Sequence, residues 1–157
     1  MLFRSDVNAD GFADAIVGAY GNCSRTYLGG AAYLLLGGDS TGSGRLVDHA
    51  VTYAGTNPMA YMAAVVGEGG DVNGDGFDDL LVGGDMTETV FLVTGSATPS
   101  DADLEDTIAF EGAGEGLGVG VAGGGDVNAD GYADILLAAE DNRDSAYYAG
   151  ATFLILG

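Results

Sequence analysis

Apolar and polar positions along this chain fall into short runs, and no window sustains a helical period. The runs are "GAAYLLLG" (Gly30–Gly37), "AVTYAG" (Ala50–Gly55), "YMAAVVGEGG" (Tyr61–Gly70), "ETVFLVTG" (Glu88–Gly95), "DTIAFEG" (Asp106–Gly112), "LGVGVAGGG" (Leu117–Gly125) and "GATFLILG" (Gly150–Gly157). Each is apolar or alternating, rich in Val, Tyr, Phe or Leu, and closed by glycine, which predicts strands rather than helices. Three further strands are predicted at the apolar ends of "DVNADGFADAIVG" (Asp6–Gly18), "DVNGDGFDDLLVG" (Asp71–Gly83) and "DVNADGYADILLA" (Asp126–Ala138). The expected class is all-β, with little or no helix.

Those last three segments are near-copies. They start at Asp6, Asp71 and Asp126, and the first and third units stay in register over 120 residues, since Gly30 corresponds to Gly150. The chain divides into units of approximately 1–55, 56–112 and 113–157, with three, four and three predicted strands. Four short strands recurring at a fixed spacing predict the blade of a β-propeller, here a partial one of about two and a half four-stranded blades. Gly and Ala in the first strand of a unit suit a crowded centre where backbones approach closely. The first unit lacks its leading strand and the third its last. The expectation is a segment of a longer propeller or, alternatively, copies that complete a ring by self-association through open blade edges.

The repeated loop carries the chemistry. Asp at position 1, Asn at 3 and Asp at 5 offer side-chain oxygens, Gly at 6 (Gly11, Gly76, Gly131) permits a sharp turn, and Asp stands at 9. Hard oxygen donors in a flexible loop suit Ca²⁺, whereas Mg²⁺ demands tighter geometry and zinc wants His or Cys. An EF-hand needs an acid at position 12 and flanking helices. Position 12 is Val17, Val82 and Leu137, and the sequence that follows is strand-like. A dockerin-type repeat fails for the same reason. Asp-Gly and Asn-Gly also make plain turns, but three copies with every ligand position retained favour a metal loop.

"GDVNGDGFDDLLVG" resembles the FG-GAP repeat of integrin α-chain propellers and related secreted proteins, and the resemblance covers nearly the whole chain. It implies a calcium site at each loop. The ligands would be Asp6, Asn8, Asp10, the Phe12 carbonyl and Asp14; then Asp71, Asn73, Asp75, the Phe77 carbonyl and Asp79; then Asp126, Asn128, Asp130, the Tyr132 carbonyl and Asp134. The Phe-Gly position departs from the pattern at Met62-Ala63 and Leu117-Gly118, and the Gly-Ala-Pro position at Gly18-Ala19-Tyr20, Gly83-Gly84-Asp85 and Ala138-Ala139-Glu140. The resemblance implies a non-catalytic module for extracellular binding, adhesion or scaffolding, at the cell surface or secreted, with calcium mainly structural. The alternative is a non-catalytic repeat region of a larger secreted hydrolase.

Composition narrows the partners. The 157 residues carry 24 Asp and Glu against four Arg and no Lys, a net charge of −20. Such a field repels nucleic acid and anionic lipid and attracts cations. Nine of the 24 acids sit at positions 1, 5 and 9 of the loops. No stretch approaches the roughly 18 apolar residues of a membrane span, and "MLFR" runs straight into the first loop without the apolar core of a signal peptide. One cysteine, Cys23, leaves no internal disulfide to form.

Other signals are weaker. "GVGVAG" (Gly118–Gly123) matches a nucleotide-binding pattern but lies in a predicted strand and leads into an acidic loop. "GGDSTGSG" (Gly37–Gly44) reads as a linker turn, and His49 and Cys23 as surface residues rather than a catalytic dyad. Asn22-Cys23-Ser24 matches a glycosylation acceptor. "YGNCSRTYLGG" (Tyr20–Gly30) and "AEDNRDSAYYAG" (Ala139–Gly150) occupy equivalent places and each holds an Arg and two Tyr. Arg25, Tyr27, Arg143 and Tyr147 are therefore the candidate contacts for a protein or carbohydrate ligand.

Overall fold

A computed structural model describes residues 5–38, 48, 50–84, 87–113, 116–141 and 149–157. Among the described residues, eleven strands form three sheets. β1 (Ala15–Ala19), β2 (Ala31–Leu35) and β3 (Val51–Ala54) form an antiparallel sheet, extended at its edge by the two-residue β7 (Ala102–Asp103), which runs parallel to β3. The second sheet has the order β4 (Val65–Gly70), β5 (Asp79–Gly83), β6 (Thr89–Val93), β8 (Ile108–Glu111), all antiparallel. The third has the order β11 (Ala151–Ile155), β10 (Asp134–Ala139), β9 (Leu117–Gly125), also antiparallel. All ten expected strands form. Among the described residues the longest helical element is the single 3-10 turn Leu104–Asp106.

Burial explains why β5 and β6 read as unbroken apolar runs. Leu80, Val82, Phe91 and Val93 pack into a core shared with the first sheet. The alternate residues Leu81, Val90 and Leu92 pack against Ile135 and Leu137 of the third. The second sheet is thus the middle layer, buried on both faces. Each large side chain fully buried in this way contributes about 1.5–3 kcal/mol. On the outer face of the third sheet, Leu136 and Leu154, paired across β10 and β11, stay exposed.

The small residues of β4 and β9 have a job. A Cβ on Gly123 would lie 2.5 Å from the Gly69 carbonyl oxygen and 2.8 Å from its Cα, and one on Gly67 would lie 3.0 Å from Val121 Cγ2. The two strands approach backbone to backbone, as the glycine content of this element predicts. β7 was not expected. It lies on the β6–β8 connection, where Asp101 accepts the Thr52 N–H at 2.8 Å and Glu105 accepts the Thr56 N–H at 2.9 Å, so the second sheet's own connection crosses to the edge of the first.

Candidate metal centre

The three loops fold alike because the same side chains take the same backbone donors. In the second loop Asp71 Oδ1 accepts the Asp75 N–H at 3.0 Å and Oδ2 accepts the Gly76 N–H at 2.9 Å. Asn73 Oδ1 accepts the same Asp75 N–H at 2.9 Å, and Asp75 Oδ1 accepts the Phe77 N–H at 3.0 Å. The first loop repeats this with Asp6, Asn8, Asp10 and Phe12. The third repeats it with Asp126, Asn128, Asp130 and Tyr132. Position 4 (Ala9, Gly74, Ala129) and position 6 (Gly11, Gly76, Gly131) all adopt left-handed backbone. That conformation turns the chain back on itself and is the reason glycine stands at position 6.

Oxygens from positions 1 and 3 therefore converge on one N–H, that of position 5. Each carboxylate oxygen has a second lone pair beyond its backbone bond. The aromatic residues at position 7 contribute only a carbonyl to such a set; the Phe12 and Tyr132 side chains are 57% and 42% exposed, their rings beside Gly38 and Gly74. The donors are all hard oxygens. The one ion pair among the described residues, Arg25 to Asp103 at 3.0 Å, leaves the loop carboxylates without a cationic partner there. This donor set fits a hard divalent cation. Among the described residues, no group of three or more His, Cys, Asp or Glu is gathered closely enough to hold a metal ion.

The acid at position 9 stands apart. Asp14, Asp79 and Asp134 are buried, with 2%, 0% and 3% exposure. Each carboxylate accepts two backbone N–H groups. One comes from position 2 of its own loop: Val7 at 2.7 Å, Val72 at 3.1 Å and Val127 at 2.6 Å. The other comes from the glycine that closes the second strand after the loop: Gly37 at 2.7 Å, Gly95 at 2.9 Å and Gly157 at 3.0 Å. A Cβ on any of these glycines would collide with backbone oxygens of the loop. The position-9 acid is a clamp that fastens loop to strand, a role the sequence reading did not assign. Its signal was present in the glycine ending "LLLG", "LVTG" and "LILG". Burial pushes the Asp14 and Asp79 carboxyls above the usual carboxylate range, and the two backbone N–H groups at each pull them back. The neighbouring charges of Asp10 and Asp6, and of Asp75 and Asp71, push them up again.

Tyr27 is 68% exposed, and Arg25 is exposed beside Asp103. Arg143, Tyr147 and His49 lie outside the described residues. Cys23 is exposed and free. In the Asn22-Cys23-Ser24 pattern, Asn22 Nδ2 donates to the Tyr33 hydroxyl at 2.6 Å and Oδ1 accepts the Ser24 N–H at 2.7 Å in a half-buried setting. Gly118–Gly123 lies within β9, as its apolar pattern predicts.

With this geometry in view, known proteins provide a reference. The chain is similar to integrin alpha-7. Identity is 31% over 142 residues to both the Rattus norvegicus and the Mus musculus proteins, covering 88% of this chain. The chain spans 12% of the length of each of these relatives. No protein-family model matches it. The similarity supports an integrin alpha-like region, and no described helix is long and apolar enough to cross a membrane.

Proposed function

We propose that this chain is a calcium-binding, non-catalytic β-propeller module that serves extracellular binding, adhesion or scaffolding. The observation that carries the reading is the threefold loop: two side-chain oxygens converge on one N–H in every copy, on a chain similar to an integrin alpha subunit. The ligand sets are those the repeat implies: positions 1, 3 and 5, the carbonyl of position 7, and the clamp acid at 9. Ca²⁺ there neutralises the carboxylates that crowd each loop. At about 1 mM calcium and a dissociation constant of about 10 μM, each site adds about 2.7 kcal/mol to stability, so calcium is structural. The propeller arrangement is supported by sheets layered in chain order, with β4 and β9 brought together at their glycines.

On this scaffold the Arg and Tyr loops are the partner surface, with Arg25, Tyr27, Arg143 and Tyr147 as contacts for a protein or carbohydrate ligand. Isothermal titration of the calcium-free chain tests the metal reading. Binding of about three calcium ions per chain is expected, and absence of binding would overturn it. Replacing Arg25 and Tyr27 with Ala is expected to weaken capture of the partner without lowering the melting temperature.

A further inference from the structure

Consecutive loops touch through their backbones, and the touching residues hold or adjoin the ligand positions. The Asp6 N–H donates to Asp78 Oδ2 at 2.8 Å, and the Asp78 N–H donates to the Asp6 carbonyl at 3.3 Å. Residue 6, the first ligand position of the first loop, is thus clasped on both sides by a residue of the second. The Ser96 N–H donates to the Val7 carbonyl at 3.0 Å, while its neighbour Gly95 donates to Asp79. Because the Val7 N–H donates to Asp14, one continuous path runs from the clamp acid of the first loop to that of the second. The join recurs in reduced form between the second and third loops. There the Ala133 N–H donates to the Asp71 carbonyl at 2.9 Å, and a Cβ on Gly74 would run into the Tyr132 ring. Position 8 is Ala in the first and third copies, so Asp78 is the one carboxylate of its kind.

We propose that the loops take up calcium as a coupled array rather than as independent sites, with Asp78 as the positioning residue that presets the backbone of Asp6. The proposal rests on the calcium reading above. An ion at the second loop fixes Asp71, Asn73 and Asp75, and with them the backbone that leads through Asp78 to Asp79. Asp78 then holds Asp6, so the first loop has less freedom left to lose when its own ion arrives. Couplings of this kind are typically about fivefold or more in affinity.

The test follows each loop separately in the 157-residue chain. Gly11, Gly76 and Gly131 each donate to the first Asp of their own loop, so their amide NMR signals report that loop during a calcium titration. Asp78→Ala is expected to weaken the first loop by about fivefold or more and to leave the third within about twofold. Asp78→Asn loses the same charge but keeps an oxygen for the Asp6 N–H. It is expected to weaken the first and second loops by similar small factors, with no extra loss at the first. In chelator, the Asp6 amide is expected to exchange with solvent faster in Asp78→Ala than in Asp78→Asn. Equal behaviour of the two variants at the first loop overturns the proposal. If Asp78→Ala does not fold, Asp71→Asn replaces it: silencing the second loop must weaken the first, and an unchanged first loop overturns the coupling. Three ions binding independently would remove the coupling alone, whereas no calcium response at any loop would remove the calcium reading beneath it.

Discussion

Replacing Asp79 with Asn changes almost no volume, yet it removes one acceptor oxygen at a residue with 0% exposure. Both oxygens are engaged, by the Gly95 N–H at 2.9 Å and the Val72 N–H at 3.1 Å, so the new amide must turn a donor toward a donor. Losing a hydrogen bond to a charged group and leaving a buried N–H unpaired costs about 1.5–3 kcal/mol. Burial already disfavours the charged carboxylate, which offsets part of that loss. A net destabilisation of about 2 kcal/mol is expected, which lowers Tm by about 4–8 °C for a chain of this size. The comparison is Asp71→Asn, which alters an acceptor on the solvent side of the same loop and is expected to cost no more than about 1 kcal/mol. Thermal unfolding by circular dichroism in chelator reads both. With excess calcium, Asp71→Asn is expected to lack part of the calcium-dependent rise in Tm. If Asp79→Asn melts like the unaltered chain in chelator while Asp71→Asn falls, position 9 is not the clamp.

Three further outcomes are expected. Gly95→Ala would place a Cβ 2.5 Å from the Asp78 carbonyl oxygen and 2.8 Å from that of Val7; the overpacking lowers stability by about 1–3 kcal/mol, read by urea unfolding in chelator. Leu81→Ala opens the core between the second and third sheets, where Leu81 is fully buried, and costs about 2–5 kcal/mol. The raised carboxyls of Asp14 and Asp79 mean that the metal-free fold holds protons the unfolded chain has already released above the ordinary value of 3.8, so stability falls as pH rises through their raised values. Tm in chelator is accordingly expected to be higher at about pH 4, just above that ordinary value, than at about pH 7.5, with a smaller difference in the Asp14→Asn, Asp79→Asn double variant.

The strands were legible because their pattern and their burial agree. β5 reads "DLLVG" since both its faces meet another sheet; β2 reads "AAYLL" since Ala32 and Leu34 enter the core shared with the second sheet while Ala31 and Tyr33 are buried within the first. The loops were legible because acid and glycine spacing is local. What escaped were features made by tertiary contact. β7 is two residues, Ala102 and Asp103, with no alternation to reveal it, and it is a strand only because β3 lies beside it. The clamp role of Asp14, Asp79 and Asp134 depends on how far β2, β6 and β11 run before their closing glycine. Asp78 looked like one more acid in an acidic loop, since its partner N–H lies 72 residues away.

The central claim is that three ions hold this chain together, and thermal unfolding with excess calcium against excess chelator tests it most directly. The account predicts a large calcium-dependent rise in Tm that saturates near three ions per chain and shrinks when positions 1 and 5 of the loops are replaced by Asn. Identical melting in calcium and in chelator would contradict it and would reduce the three loops to Asp-Gly turns held by their own backbone.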